Sequence, residues 1–152
     1  MPDVETAIHT EWIVLADYAE VVNGKLYLMG GGWENLTINQ PLPVVHQCAI
    51  AVAFSVPWNE TNQRHGITIE VVDPDGKNLL KVEGNIEVGR PPGIPLGQAQ
   101  RVPLAANVGL KVDGFGPHVI RTRIHGQESL AVRFNVVEGP GLAQLRRVQQ
   151  AP

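Results

Sequence analysis

The side chains that could carry chemistry in this sequence are few and lie far apart along the chain. Five histidines occur singly, without a His-x-x-x-His pair: His9, His46, His65, His118 and His125. Zinc sites draw on close groups of Cys and His, but the only cysteine is Cys48. His46 and His65 both begin predicted strands and could approach each other in the fold. We nevertheless expect no metal site and no cofactor.

Candidate nucleophiles also lack the partners that they would need. Ser55 and Ser129 are the only serines, and neither lies in the Gly-x-Ser-x-Gly segment of a nucleophile elbow. Cys48 falls on the apolar face of a predicted strand, where a thiol behaves as a small buried hydrophobe. We therefore predict that the protein is not an enzyme.

Asp17 is the acid whose position is most unusual. The other residues on its face of the first predicted hairpin are apolar: Ile13, Leu15, Ala19, Val21, Leu26 and Leu28. A carboxylate buried there must be paired, hydrogen-bonded or neutral. A catalytic or metal-binding acid is one interpretation. No second carboxylate or histidine lies near it in the pattern, so we favour a structural buried acid that accepts backbone N–H groups.

A second acidic pattern, Asp73-Pro-Asp-Gly76, has two interpretations. Two close aspartates are compatible with calcium, although calcium needs six or more oxygen ligands that usually come from several loops. A tight turn explains all four residues, because proline fixes φ and glycine accepts a positive φ. We predict a turn.

The hairpin that contains Asp17 organises the rest of the chain. Two apolar runs within residues 12–30 are joined by Asn23-Gly24, which is the strongest short signal for a type I′ turn. A two-residue loop predicts these strand pairs: Val22 with Lys25, Val21 with Leu26, Ala19 with Leu28, and Tyr18 with Met29. Three glycines, 30–32, then predict a bulge, a bend or a close approach of another backbone.

Composition bounds the class of protein. The chain has 152 residues, 43% of them hydrophobic and 18% charged, which suits one globular domain with its own core. The net charge of −3 argues against nucleic-acid binding, which needs a basic surface. The N-terminal segment does not have the pattern of a signal peptide, and no apolar run could span a membrane. We expect a cytoplasmic protein with no nucleic-acid or membrane partner.

About eight short strands separated by Pro- and Gly-rich turns predict an antiparallel β-sandwich, with a closed β-barrel as the alternative. We divide the chain into a flexible N-terminal arm (1–10), a sandwich domain (11–137) and a tail (138–152) that forms a short helix or stays irregular. Residues 33–38 are predicted to extend the second strand. The loop 89–97 is predicted to cross between the two sheets.

One strand, 45–56, carries large residues on one face and only small ones on the other. The small face holds Ala49, Ala51, Ala53 and Ser55. This pattern predicts a strand covered on both sides, with a loop, the N-terminal arm or another subunit against the alanines. Together with the low charge and a weak apolar stripe in the tail, it predicts self-association.

The closing hairpin has a register that can be deduced from its pattern. A loop of three residues, 125–127, pairs Thr122 with Leu130 and Ile120 with Val132, so that apolar faces meet. A loop at 126–127 would put opposite faces together.

In the favoured register three arginines point outward: Arg121, Arg123 and Arg133. A solvated sheet face is the favoured interpretation, and a docking surface for an acidic partner is the alternative. Trp58, in a polar loop, is a candidate binding anchor, or it folds back to cap one end of the sandwich.

Five short motifs follow one another in order along the chain. They are Ala16-Asp17-Tyr18-Ala19, Asn23-Gly24-Lys25-Leu26, Pro41 and Pro43 with His46, Arg64-His65, and Asp73-Pro74-Asp75-Gly76. This order resembles a family of small bacterial proteins known only as a domain of unknown function. The resemblance covers residues 12–137 and implies an all-β fold, and it brings no activity, cofactor or catalytic residue. We predict a non-catalytic interaction or assembly module that binds a protein partner or itself. The alternative is a ligand-binding sandwich, for example for a carbohydrate.

Overall fold

The computed structural model describes residues 7–150, which form nine strands and one helix. The strands are β1 (His9–Val22), β2 (Lys25–Gly31), β3 (Asn35–Ile38), β4 (Val44–Val56), β5 (His65–Val72), β6 (Asn78–Ile86), β7 (Gln100–Val112), β8 (Gly116–Ile124) and β9 (Gln127–Glu138). The helix α1 (Pro140–Gln150) follows. The first sheet has the order β2-β1-β4-β7, and the second has the order β3-β9-β8-β5-β6. The predicted antiparallel sandwich is confirmed, since the strands form two sheets rather than one closed barrel.

The core lies between the two sheets and is built from alternate residues of the central strands, because successive side chains in a strand point to opposite faces. β4 contributes Cys48, Ile50, Val52, Phe54 and Val56, all of them buried. The second sheet meets them with Ile67, Ile69, Val71, Ile120, Ile124, Phe134 and Val136. Leu142 of α1 joins the same cluster, so part of the tail is docked on the sandwich.

The prediction that residues 33–38 extend β2 is wrong. Residues 35–38 form a separate strand, β3, which joins the second sheet and runs parallel to β9. Gly30 and Gly32 have φ of +61° and +89°, a conformation that side chains other than glycine rarely adopt. These glycines turn the chain out of the first sheet, which the strand pattern of residues 33–38 could not indicate.

The alanine face of β4 is covered by the chain itself. Ala16 and Ala19 of β1 form a second buried cluster with Ala49 and Ala51 of β4, against which Trp12, Leu26 and Ala105 pack. The side chain of Asn107 on β7 holds the hairpin there, because its Oδ1 accepts from the N–H of Ala19 at 3.2 Å and its Nδ2 donates to the Ala19 carbonyl at 2.7 Å. The tip of the first hairpin therefore folds over the outer face of its own sheet.

Both predicted ends of the chain are partly structured. Residues 1–6 of the predicted arm lie outside the described residues, but His9 and Thr10 already belong to β1. The N–H of Thr10 donates to Ser129 Oγ at 2.8 Å, and the hydroxyls of Thr10 and Thr122 lie 2.7 Å apart. These bonds tie the start of β1 to the second sheet. Within residues 7–150 no helix is long and apolar enough to cross a membrane.

The crossing loop is where the sequence predicted it. β6 belongs to the second sheet and β7 to the first, so the segment between Ile86 and Gln100 carries the chain from one sheet to the other.

Candidate functional site

The prediction that Asp17 is a buried acid is wrong, because its side chain is exposed. β1 pairs with β4 only as far as Ala16, so Asp17 is the first residue of β1 beyond that pairing. The core between the sheets continues past this level on β4 and β7, where Cys48, Leu110 and Val112 are buried. Asp17 is exposed because the hairpin leaves β4 here and continues over the outer alanine face of its own sheet.

Asp17 instead packs against Gly30 on the neighbouring strand. A Cβ at Gly30 would collide with the Asp17 carboxylate, whereas a Cβ at Gly24, which also has a positive φ of +73°, would meet nothing. We predict that Gly30→Ala destabilises the fold by about 2 kcal/mol and Gly24→Ala by about 1 kcal/mol, because only the first adds a collision to the backbone strain. Urea denaturation measures both values.

The double variant Gly30→Ala with Asp17→Ala is the control for this collision. It should recover part of the additional loss, because the carboxylate is then absent. Equal costs for the two glycine variants would show that Asp17 and Gly30 are not in contact.

The predicted hairpin register is confirmed. Asn23 and Gly24 have φ of +51° and +73°, as a type I′ turn requires. All four predicted pairs are present, including Tyr18 with Met29, and Glu20 also pairs with Tyr27. One face of the hairpin therefore presents Tyr18, Val22, Tyr27 and Met29 beside Glu20 and Lys25. We call the four apolar and aromatic residues of this face the hairpin surface.

The hairpin surface is unusually apolar for exposed residues. Tyr18, Tyr27 and Met29 are 44%, 52% and 65% exposed. Six of the eleven large apolar side chains exposed within residues 7–150 lie on this hairpin, and four of the six belong to the hairpin surface. A contiguous group of this kind is typical of a binding surface, whereas single exposed apolar residues are ordinary. The sequence predicted the pairing of Tyr18 with Met29, but the exposed apolar surface that these residues form was not predicted.

The buried acid of the fold is Glu70, which the sequence analysis missed. It lies on β5, is 5% exposed, and its Oε2 accepts from Arg121 Nε at 2.6 Å and from Arg123 Nε at 3.3 Å. The hydrogen bond from Arg121, followed by that from Arg123, lowers the pKa of Glu70 against the opposing effect of burial. The available signal was that Glu70 is the only acidic residue in the mostly apolar strand His65–Val72.

The predicted pairing of the closing hairpin is confirmed in its inner part. Thr122 pairs with Leu130 and Ile120 with Val132. The turn is shorter than predicted, since Ile124 pairs with Gln127 and a bulge follows between Thr122 and Arg123. The turn contains two residues, 125–126, instead of three. The bulge places one additional residue in β9, so the pairs beyond it have the predicted register.

The three arginines of the outer face differ in their surroundings. Arg121 and Arg123 are half-buried and bound to Glu70, while Arg133 is exposed. Glu70 already accepts hydrogen bonds from Arg121 and Arg123, so these donor groups are not free for an acidic partner. Docking through Arg121, Arg123 and Arg133 stays a prediction, and the solvated sheet face remains the simpler interpretation.

Trp58 lies in a single 3-10 turn, Trp58–Glu60, and is half-buried. The guanidinium of Arg90 lies 4.1 Å from the centre of its ring and donates to the Trp58 carbonyl at 2.9 Å. Arg90 also donates to Thr61 Oγ1 at 2.7 Å. One face of the indole is therefore occupied by the crossing loop, which supports the interpretation of Trp58 as a cap of the sandwich.

His65 contacts His125, whereas the approach of His46 to His65 that the sequence allowed does not occur. His65 Nε2–H donates to the Glu60 carbonyl at 2.7 Å, which leaves Nδ1 to accept from His125 Nε2–H at 2.9 Å. His46 lies at the far end of β4, ten residues before Val56, which corresponds to roughly 30 Å of extended strand. In the described part of the chain, no three His, Cys, Asp or Glu side chains are placed to hold a metal ion.

The surroundings of Cys48 and of the acidic pattern at 73–76 indicate structural roles for both. Cys48 is buried, and burial, with the charge of Asp17, raises the pKa of its thiol to about 11. Asp73 Oδ1 accepts from the N–H groups of Asp75 and Lys77 at 2.9 and 2.8 Å, and Gly76 has a φ of +84°. The acidic pattern at 73–76 therefore forms the predicted turn.

The fold defines an all-β, two-sheet sandwich protein whose exposed apolar residues concentrate on one hairpin. By its sequence the chain belongs to a family of unknown function, DUF6941, whose family model matches residues 11–137. The prediction that it belongs to a family known only as a domain of unknown function is thereby confirmed. No curated protein matches the sequence.

Among solved structures, the chain is similar to the Pseudomonas fluorescens alkylpurine DNA glycosylase AlkC bound to DNA containing an abasic site analog. The identity is 9% and the TM-score 0.37, and the match covers 82% of this chain and 30% of that one. The chain thus spans less than a third of that structure, and a likeness of this size supports no conclusion about function.

Proposed function

We propose that this protein is a non-catalytic interaction module that docks its partner through the hairpin surface. The observation that carries the proposal is the exposure of Tyr18, Tyr27 and Met29 side by side on one strand pair. Tyrosine and methionine are enriched in protein interfaces, where each covers a large area at a low cost in conformational entropy.

The anchoring of the hairpin also supports this role. The opposite face of the hairpin is fixed on the alanine cluster, and Asn107 binds both backbone groups of Ala19. A docking element that is held in place before binding loses less entropy when its partner arrives. The hairpin surface is therefore presented on a rigid support.

The alternative of a carbohydrate-binding sandwich has less support. Stacking of a sugar needs a free aromatic face, and Arg90 lies over the ring of Trp58. Cytoplasmic location and the absence of enzymatic, nucleic-acid and membrane activities stay predictions.

Photo-crosslinking tests the proposal. A photoreactive amino acid replaces Met29, and in a matched variant it replaces Leu96, an apolar loop residue that is 87% exposed. We expect a crosslinked protein species in the native cells from position 29 and none from position 96. The species should disappear when Tyr18→Ser and Tyr27→Ser are added to the Met29 variant. The absence of any species specific to position 29 would overturn the proposal.

A further inference from the structure

We propose that the partner of the hairpin is the same hairpin of a second copy of this chain, with the two β2 strands paired antiparallel about Leu28. This inference rests on the proposed function and names the partner of that surface. It would join two first sheets into one continuous sheet through a two-fold symmetric contact.

The edges of the two sheets differ in their protection against such pairing. Edge strands usually carry charges or proline, or are very short, since these features block pairing with another chain. β6 carries Lys81 and Glu83, β7 carries Arg101 and Pro103, and β3 has four residues. β2 has seven residues, and its single charge is Lys25 at the turn. It is the edge least protected among the described strands.

The backbone of β2 sets the register of the contact. In a two-residue hairpin the residues that flank the turn, Val22 and Lys25, exchange both hydrogen bonds, and such pairs then alternate along the strands. Tyr27 and Met29 therefore direct their backbone groups towards β1. Leu26 and Leu28 direct theirs away from it. Leu28 lies at the middle of β2, so a two-fold axis there gives the longest overlap.

Pairing about Leu28 makes β2 complementary to itself. Tyr27 of one copy lies opposite Met29 of the other, which is a favourable contact of sulfur with an aromatic ring. Leu26 lies opposite Gly30, and Lys25 opposite Gly31, so no like charges meet. Because Tyr18 pairs with Met29 and Glu20 with Tyr27 within each copy, each row across the two copies runs from Tyr18 through Met29 to the Tyr27 and Glu20 of the other copy.

The contact is small for a protein interface. One seven-residue strand per copy buries less area than the roughly 1,200–2,000 Å² of stable complexes. We therefore expect a dimer that forms in a concentration-dependent way, with a Kd weaker than about 1 μM. Light scattering should report its mass at high micromolar concentration, and a monomer there would overturn the inference.

Cysteine crosslinking tests the register. In Leu28→Cys the two Cα atoms would lie about 5.5 Å apart, within the range of a disulfide. In the matched control Leu26→Cys the shift of four residues separates them by about 14 Å. The native thiol of Cys48 is buried and does not compete. We expect oxidation to crosslink Leu28→Cys at least about tenfold faster, because only its geometry fits. Equal rates, or a faster Leu26→Cys, would overturn the inference.

A charge substitution gives an independent readout. Leu28→Lys places two ammonium groups opposite each other on the axis and should leave a monomer at every concentration at which the wild type dimerises. Leu96→Lys, with the same change on the exposed loop, should dimerise as the wild type does. A dimeric Leu28→Lys would overturn the inference.

The photo-crosslinking at position 29 separates this inference from the proposed function. If the crosslinked species contains a different protein, and Leu28→Cys forms no crosslink, the inference is overturned while the proposed function remains intact.

Discussion

Ala49→Leu is expected to destabilise the protein by about 3 kcal/mol and to displace the first hairpin. Ala49 is fully buried and pairs with Ala16 on one side and Asn107 on the other. Three additional carbon atoms have no free space there, so the hairpin must move outward. That movement also breaks the two hydrogen bonds between Asn107 and Ala19. Urea denaturation measures the loss, and hydrogen exchange should report faster exchange of the Ala19 amide.

Ala131→Leu is the matched control for this substitution. Ala131 lies on the outer face of the second sheet and is exposed, so the same change should alter the stability by less than about 0.5 kcal/mol. If Ala49→Leu is as well tolerated as Ala131→Leu, the hairpin tip does not rest on the alanine face.

Glu70→Ala is expected to cost about 2–3 kcal/mol, because it removes the shared acceptor of two arginines. Arg121 and Arg123 would remain side by side without the buried charge that they bind. Their side chains are 30% exposed and can turn partly to water, which keeps the loss below that of a fully buried pair. Thermal and urea unfolding at neutral pH measure the change.

The matched control is Glu83→Ala on the neighbouring strand. Glu83 lies 3.1 Å from Lys81, but both side chains are more than half exposed, so this pair should contribute little. A loss at Glu83 as large as that at Glu70 would contradict the assignment of Glu70 as the structural acid.

The contribution of Glu70 should depend on pH with a definite sign. The hydrogen bond from Arg121 lowers the pKa of Glu70 in the folded state below that of the unfolded chain, which is about 4.3. The stabilisation is therefore fully present above that pH and is lost as the pH falls through the folded pKa. The difference in stability between the wild type and Glu70→Gln should narrow below about pH 4. A difference that stays constant from pH 7 to pH 3 would contradict this linkage.

The sequence by itself determined the local structure of both hairpins. Asn23-Gly24 accepts the positive φ angles of a type I′ turn, which fixes the register of β1 with β2. In the closing hairpin the apolar alternation specified the pairing of Thr122 with Leu130, although the turn itself is one residue shorter and is followed by a bulge. These features depend on interactions between residues close in sequence, and such interactions can be deduced from residue type and spacing.

Only the tertiary structure decided which faces are covered. Asp17 and Leu15 lie on the same face of β1, yet one is exposed and the other buried, because β1 leaves β4 after Ala16 and the hairpin continues over the outer face of the sheet. Glu70 is buried because β8, which carries Arg121 and Arg123, pairs with β5, although the arginines lie 51 and 53 residues from Glu70 in sequence. The alanine face was predicted to be covered, but the identity of its cover, the first hairpin, depends on how β1 leaves β4 after Ala16. Burial is a property of the packed sheets, and strand periodicity specifies the two faces of a strand without specifying what each face meets.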